Sequence, residues 1–250
     1  MRQNSSFVIS AKSKSDIKRG EKVTFILLAE NYGYRMKSYG PLSLIDINNG
    51  MNLLEHQINA ISSSFVDYEI ILCSGFETNK VYHFIQNNFP SSLPIRIVEN
   101  QVYYHSNCCE GLRLCMNNTM NDKIIVCGGG VLLTTDYLKN LNIRKSSIMY
   151  QEGGKMQNFE VGIISNGANR LESLSLAVKD KVWTELLYLT GPALVKSFYN
   201  MVSKPELKNK FLFEAINVWR GRKALNLEHN SNKIITKIDN IKTLKRIKEQ

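Results

Sequence analysis

The chain has 250 residues, of which 43% are hydrophobic and 22% are charged. This composition is ordinary for a globular protein and excludes a globally disordered chain, while the length suits one sizeable α/β domain or one domain with a small annex. The formal net charge of +10 favours anionic partners such as nucleotides, nucleic acid or acidic surfaces.

The excess positive charge is concentrated near the two ends of the chain. Residues 1–22 carry six Lys and Arg against two acidic residues, and residues 233–250 also carry six against two. These stretches account for +8 of the total, so the middle of the chain is nearly neutral. We interpret residues 1–21 as a basic arm, with an added edge strand as the alternative. The basic ends are either solvated or dock onto a protein assembly, and nucleic acid is not the expected partner.

The sequence also limits the compartment in which the protein works. No apolar run reaches transmembrane length, and the polar beginning does not resemble a signal peptide. The five cysteines form no CxxC pair, and their odd number fits reduced thiols better than a disulfide framework. We therefore expect a cytoplasmic protein without membrane contact, or a virion-associated one if its role is structural.

The first half of the chain alternates between apolar runs and helical patterns. Strand-like runs at 23–29, 68–74, 95–99 and 123–126 are separated by amphipathic stretches at 51–64, 80–88 and 107–119. This alternation predicts βαβ units and an α/β fold with a mostly parallel sheet. Right-handed crossovers would place the strand-to-helix loops at one edge of the sheet, where ligands bind.

The second half of the chain has a different pattern. Residues 148–150, 162–164 and 174–176 predict short antiparallel strands, because Gly and Asn turns separate them. Two amphipathic helices are predicted at 182–202 and 210–220, followed by a strand-like segment at 233–239 and a basic helix at 240–250.

A polar loop with the composition of a phosphate-binding turn follows the first predicted strand. It carries Asn31, Gly33 and Arg35, and a Pro-Leu-Ser-Leu segment begins at Pro41. Asn and Gly tolerate positive φ best, so a strand, a tight polar loop and a basic residue together favour a backbone cradle for phosphate. The alternative is an ordinary turn glycine at 33 beside a solvated Arg35.

These residues resemble the opening of the nucleotidyltransferases that make sugar nucleotides, CDP-choline and similar activated head groups. The family signature is a strand, a G-x-G-x-R loop and a Pro-Lys-x-Leu segment, matched here by residues 31–35 and 41–44. Further similar segments follow in the family's order, at 53–58, 122–133, 181–185, 213–217 and 237–240. The resemblance implies a Rossmann-like fold of the glycosyltransferase-A type, with a mixed, mostly parallel sheet flanked by helices. It also implies a nucleotide-binding half at 22–135, an acceptor-binding half at 136–239 and a basic helix at 240–250.

The resemblance also implies a reaction and the residues that carry it. A nucleoside triphosphate would give its nucleotidyl group to a small phosphorylated sugar or head group, a step catalysed mainly by positioning and charge neutralisation. The implied nucleotide-binding residues are Ala29, Asn31, Gly33, Arg35, Gly128 and Gly129. The implied catalytic residues are Arg35, Asp239 and Lys181, with Lys179 as an equally placed alternative to Lys181. Glu185 is the implied acceptor-binding residue, and Asp239 the implied ligand of Mg²⁺.

The chain departs from the family at two groups that this chemistry needs. Leu42 stands where the family has a phosphate-neutralising lysine, and Gly129 stands where it has a second Mg²⁺-binding aspartate. Losing one electrostatic catalytic group typically slows a reaction ~10²–10³-fold. We therefore expect an impaired nucleotidyltransferase. The alternative is a catalytically inactive fold that serves as a structural or binding module, for example in a viral particle.

Three nearby residues offer replacements for the missing groups. Lys37 lies five positions before Leu42, and Asp122 or Asp136 offers a carboxylate near Gly129. An N-cap of the closing helix is the alternative role for Asp239.

Overall fold

The computed structural model describes residues 21–30, 36, 40–48, 50–153, 160–176, 178–229 and 236–249. The predictions that concern Asn31, Gly33, Arg35, Lys37 and residues 1–20 of the basic arm lie outside the described residues.

The strands of the described part, in chain order, are β1 Val23–Leu28, β2 Asp46–Asn48, β3 Met51–Asn52, β4 Tyr68–Ser74, β5 Ile95–Glu99, β6 Lys123–Gly128, β7 Val131–Leu132, β8 Ser147–Glu152, β9 Gly162–Ser165, β10 Leu171–Ser175, β11 Lys181–Thr190, β12 Asn226–His229 and β13 Thr236–Lys237. The α-helices are α1 Leu53–Ser62, α2 Thr78–Asn88, α3 Cys108–Met116, α4 Thr135–Asn140, α5 Pro192–Val202, α6 Leu212–Val218 and α7 Ile241–Lys248.

The strand β1 lies at the centre of the main sheet, which has nine strands among the described residues. It pairs in parallel with β4 on one side and β6 on the other, and β5 continues the parallel part beyond β4. All six residues of β1 are buried, as expected for a parallel strand covered on both faces. The predicted fold class, a mixed α/β sheet flanked by helices, is confirmed.

Successive residues of β1 face two separate cores. Phe25 and Leu27 pack with residues of α1, α2 and α4 on one face of the sheet, including Leu54 and Val81. Ile26 and Leu28 pack on the other face with residues of α3, α5 and α6. The alternation follows from the two-residue repeat of a strand, and it holds β1 firmly in place between two helical layers.

Beyond β6 the sheet becomes largely antiparallel. The strand β11 pairs antiparallel with both β6 and β8, and β9 pairs antiparallel with β10. The predicted strands at 148–150 and 162–164 are confirmed as β8 and β9, whereas the strand predicted at 174–176 begins earlier, at Leu171.

The single helix predicted at 182–202 is wrong in its first half, which forms β11. Val182, Trp183 and Thr184 are β-branched or aromatic and favour a strand. The strand is buried on both faces, so its apolar residues do not alternate with polar ones and resemble a buried helix. Gly191, with a φ of +95°, ends the strand, and Pro192 begins α5 at the first helical position.

The other predicted helices are confirmed with shorter bounds. The segments at 51–64, 107–119, 210–220 and 240–250 contain α1, α3, α6 and α7, whereas the helix predicted at 80–88 begins earlier, as α2 at Thr78. No helix in the described part of the chain is both long and apolar enough to cross a membrane.

The segment from 236 to 249 returns to the middle of the molecule. Here β13 pairs antiparallel with β7, directly after the end of β6. Ile238 and Leu244 enter a third, small core with Ile45, Ile47 and Leu53. A late segment of the chain therefore lies against the carboxyl end of β6.

Candidate functional site

The candidate site lies at the carboxyl ends of β1 and β6, the edge at which ligands bind in sheets of this kind. The strand register pairs Leu28 with Gly128, so both strands end side by side. Ala29 follows β1 and is 5% exposed, and Gly129 and Gly130 follow β6. Three of the predicted nucleotide-binding residues, Ala29, Gly128 and Gly129, therefore lie together.

Gly129 is in close contact with the end of β1. A Cβ atom on Gly129 would lie 2.2 Å from the carbonyl oxygen of Leu28 and 2.8 Å from the Cα of Ala29, closer than real Cβ atoms approach. Only glycine fits here without a backbone shift. A side chain as large as that of aspartate could not be accommodated between the strands as they stand.

Asp239 lies beside the glycines because β13 carries it there. The N–H of Ile238 donates to the carbonyl of Gly130 at 2.8 Å, and Asp239 follows directly. Asp239 is not the N-cap of α7, since that role belongs to Asn240, whose side chain accepts from the N–H of Thr243 at 2.9 Å. The Asn240 amide also donates to Oδ1 of Asp239 at 2.5 Å.

Glu185 reaches the same edge from a bulge in β11. The register between β11 and β8 shifts between Trp183 and Leu187, and Glu185 has a φ of +60°, in the left-handed region that side chains avoid. Its carboxylate covers Gly128, because a Cβ on that glycine would lie 2.3 Å from Oε2 of Glu185. Backbone strain of this kind is concentrated at functional sites.

Lys237 completes the group, although the sequence-based prediction assigned it no role. Its Nζ lies 2.5 Å from Oε1 of Glu185, and the two side chains are 45% and 28% exposed. Partial burial disfavours the ammonium charge, but the carboxylates of Glu185 and Asp239 outweigh it, so the pKa of Lys237 is raised. The signal in the sequence is its spacing of two from Asp239, because alternate residues of a strand share a face.

Lys181, a predicted catalytic residue, lies at the beginning of β11. Its Nζ is 5.2 Å from the ring centroid of Tyr150 and 3.5 Å from Oγ of Ser165. Glu185 lies four positions further along the strand, about 13 Å of extended chain away. Lys181 therefore belongs to the antiparallel half of the sheet, at some distance from the Glu185–Lys237 pair. The alternative, Lys179, is exposed and precedes the strand.

The groups considered as replacements do not come to the site as expected. Asp122 precedes β6 and so lies at the end of that strand opposite Gly128, which corrects its proposed role. Asp136 is exposed in the first turn of α4. Leu42, in the place of the family's lysine, packs against the small third core and contributes apolar contact rather than charge.

Glu30 is a buried carboxylate that was not among the predicted site residues. It follows Ala29 and is 1% exposed. Burial raises its pKa to about 7, while its own backbone N–H and the Cys73 thiol act in the opposite direction. A Cβ on Gly111 would lie 2.7 Å from Oε1 of Glu30, so the carboxyl group lies directly against α3. The only signal in the sequence is an acidic residue at the end of an apolar run.

The described residues at this edge do not fit Mg²⁺, the metal that the fold family implies. Mg²⁺ takes a near-octahedral set of oxygen ligands, of which the protein usually supplies one or two carboxylates that are free to bind it. Oδ1 of Asp239 already accepts from Asn240, and the Lys237 ammonium lies beside Glu185. Within the described ranges, no group of three or more His, Cys, Asp or Glu side chains is placed to hold a metal ion.

By sequence, the chain matches no protein-family model and has no significant match among curated proteins. By structure, it is similar to the CTP:phosphocholine cytidylyltransferase from Streptococcus pneumoniae, with a TM-score of 0.75 and 16% identity over 91% of this chain and 98% of that one. It is similar to the inositol-1-phosphate CTP transferase from T. maritima, with a TM-score of 0.72 and 13% identity over 93% and 98% of the two chains. A nucleoside-diphosphate-sugar pyrophosphorylase from Vibrio cholerae RC9 gives a TM-score of 0.68 and 10% identity over 90% and 100%. The chain therefore has the fold of these nucleotidyltransferases.

Proposed function

We propose that this chain binds a nucleoside triphosphate at the carboxyl edge of β1 and β6 and transfers its nucleotidyl group slowly to a small phosphorylated acceptor. The observation that supports this function is that Glu185 lies against Gly128 while Asp239 directly follows Ile238, which bonds to Gly130, so both carboxylates lie beside the end of the central strand. Two proteins of similar fold are named for the use of CTP with phosphocholine or with inositol 1-phosphate. Those names favour a phosphorylated sugar or head group as the acceptor.

Each half of the sheet has a separate task in this proposal. The glycines after β6 and the polar loop with Arg35 hold the triphosphate through backbone N–H groups and a guanidinium. Glu185 orients the acceptor at the junction of the two halves, and Lys181 attracts its phosphate from the antiparallel half. The reaction is slow because Leu42 and Gly129 stand where charged groups are expected. The loss of one such group lowers the rate ~10²–10³-fold.

The test is pyrophosphate release with CTP, UTP, GTP and ATP, each with a panel of phosphorylated sugars and head groups. We expect release with one triphosphate that depends on the acceptor, and a loss of about 10-fold or more in D239N. Asparagine has nearly the shape of aspartate, so equal melting temperatures would show that the variant is folded. Pyrophosphate release that is unchanged in D239N would show that Asp239 takes no part in the reaction.

Two negative results lead to different conclusions. If no pair of substrates gives pyrophosphate but a triphosphate binds in calorimetry, the fold serves as a nucleotide-binding module. If no triphosphate binds either, the proposed function is wrong, and a structural module with basic ends that dock onto an assembly takes its place.

A further inference from the structure

Lys237 occupies a position that folding alone does not explain. The backbone of Ile238 is paired with Gly130 and its side chain is fully buried, so Lys237 and Asp239 share the opposite face of the same extended segment. Nζ of Lys237 lies 2.5 Å from one oxygen of Glu185, whose other oxygen covers Gly128. The ammonium therefore lies near the carboxylates of Glu185 and Asp239, at the end of β6.

The ion pair itself contributes little to stability. Its side chains are 45% and 28% exposed, and pairs that are accessible to water are weak. Lysine also carries its charge on a flexible four-carbon stem, which can turn from Glu185 towards a phosphate oxygen. The pair holds the ammonium at the site without fixing it there.

The ammonium also opposes the binding of a metal ion at this place. A divalent cation within reach of Glu185 and Asp239 would lie beside Lys237, and the like charges would repel. If the ammonium were absent, an incoming phosphate would lie beside two carboxylates. A single lysine can relieve that repulsion and also supply a charge-assisted hydrogen bond to phosphate.

We propose that Lys237 is the resident cation of this site and takes the place of a metal ion, so that the triphosphate binds without Mg²⁺. This inference rests on the proposed nucleotide binding at the same edge. It assigns Lys237 as a phosphate-binding residue and Glu185 as the group that positions it.

Calorimetry with each of the four nucleoside triphosphates, in Mg²⁺ and in EDTA, tests the inference. We expect the wild type to bind one of them with Kd values that agree within about threefold in the two buffers. K237M keeps the length of the side chain without its charge and should weaken binding about 10-fold in both buffers. The matched control is K242M, which removes a charge from an exposed position of α7 and should bind like the wild type.

A second measurement does not require a nucleotide. K237E places a third carboxylate beside Glu185 and Asp239, so we expect it to bind Mn²⁺, detected by electron paramagnetic resonance at a site that the wild type lacks. The double variant E185Q/K237E should lose that site. Melting temperatures of all the variants would establish that they are folded.

The outcomes separate the inference from the function on which it rests. Nucleotide binding that requires Mg²⁺ in the wild type, or that is unchanged in K237M, would overturn the role of Lys237 and leave nucleotide binding intact. If no triphosphate binds in either buffer, the proposed function fails. The manganese measurement then still tests whether Lys237 excludes metal ions from the site. If the wild type binds Mn²⁺ and E185Q does not, Lys237 does not exclude metals.

Discussion

Gly129 and Leu28 touch so closely that the Cβ position of the first lies 2.2 Å from the carbonyl oxygen of the second. The contact joins the carboxyl ends of two parallel strands at the point where the candidate site begins. Even one added methyl group must therefore push one strand away from the other.

We expect G129A to lower the free energy of unfolding by about 1–3 kcal/mol, because overpacking against backbone atoms is not relieved by a side-chain rotation. Urea unfolding measures this change. G167A is the control, since a Cβ on Gly167 meets no atom within 4 Å. Equal stability of the two variants would show that the strands separate easily and that a larger side chain can be accommodated at position 129.

The buried carboxyl of Glu30 should make stability depend on pH. Its pKa in the folded state is about 7, above the value of 4.5 that serves for the unfolded chain, so the folded state binds more protons between these values. Stability from this group is therefore present below pH 4.5 and is lost as the pH rises to 7, by about 3 kcal/mol in total. E30Q removes the titrating carboxyl group. Between pH 4.5 and 8, its free energy of unfolding should therefore rise relative to that of the wild type by about 3 kcal/mol.

Urea unfolding across this range measures the difference between the two proteins. The control is E172Q, at an exposed position of β10, which should follow the wild type at every pH. A difference between E30Q and the wild type that stays constant with pH would contradict the shifted pKa.

The strained backbone at Glu185 predicts an unusual order of stability between two variants. E185A and E185G both remove the carboxylate, but glycine adopts a φ of +60° at no steric cost, whereas alanine does not. We expect E185G to be more stable than E185A by about 1 kcal/mol, although glycine normally weakens a strand. Thermal unfolding of the pair is the measurement. The reverse order would mean that the bulge relaxes once the carboxylate is gone.

Lys181 should affect the acceptor rather than the nucleotide. It lies over Tyr150 in the antiparallel half, four residues along β11 from Glu185. In the proposed reaction, K181M should raise the KM for the acceptor about 10-fold, because it removes a charge that attracts the acceptor phosphate, and should leave the Kd of the triphosphate unchanged. K179M is the matched control. Weaker binding of the triphosphate in K181M would place this lysine at the other half of the site.

The central part of the fold follows from local patterns in the sequence. Strands such as β1 and β4 are short, mainly apolar runs bounded by polar turns, and their alternation with amphipathic helices indicates a parallel sheet. The same logic fails for β11, because a strand buried on both faces and followed by a helix has no periodicity that marks the boundary.

The site is harder to predict, because its parts meet only through long-range pairing. Asp239 can be found from the order of family-like segments, but the pairing of Lys237 with Glu185 joins residues 52 positions apart. The bulge that turns Glu185 towards Gly128 comes from a shift of register between two strands, which no local pattern records. The burial of Glu30 depends in the same way on the contact of its carboxyl group with α3.

The pairing of β13 with β7 also has a consequence for the order of events during synthesis. The parallel strands around β1 are complete once residue 128 has left the ribosome, but Lys237 and Asp239 emerge more than 100 residues later. Lys248, which bonds to Asp46 across 202 positions, arrives later still. A nascent chain that ends before residue 236 would therefore have the parallel strands of the sheet but not the Lys237–Glu185 ion pair. A ligand that binds only when this pair has formed cannot assist the early steps of folding. It can only stabilise chains that are already fully folded.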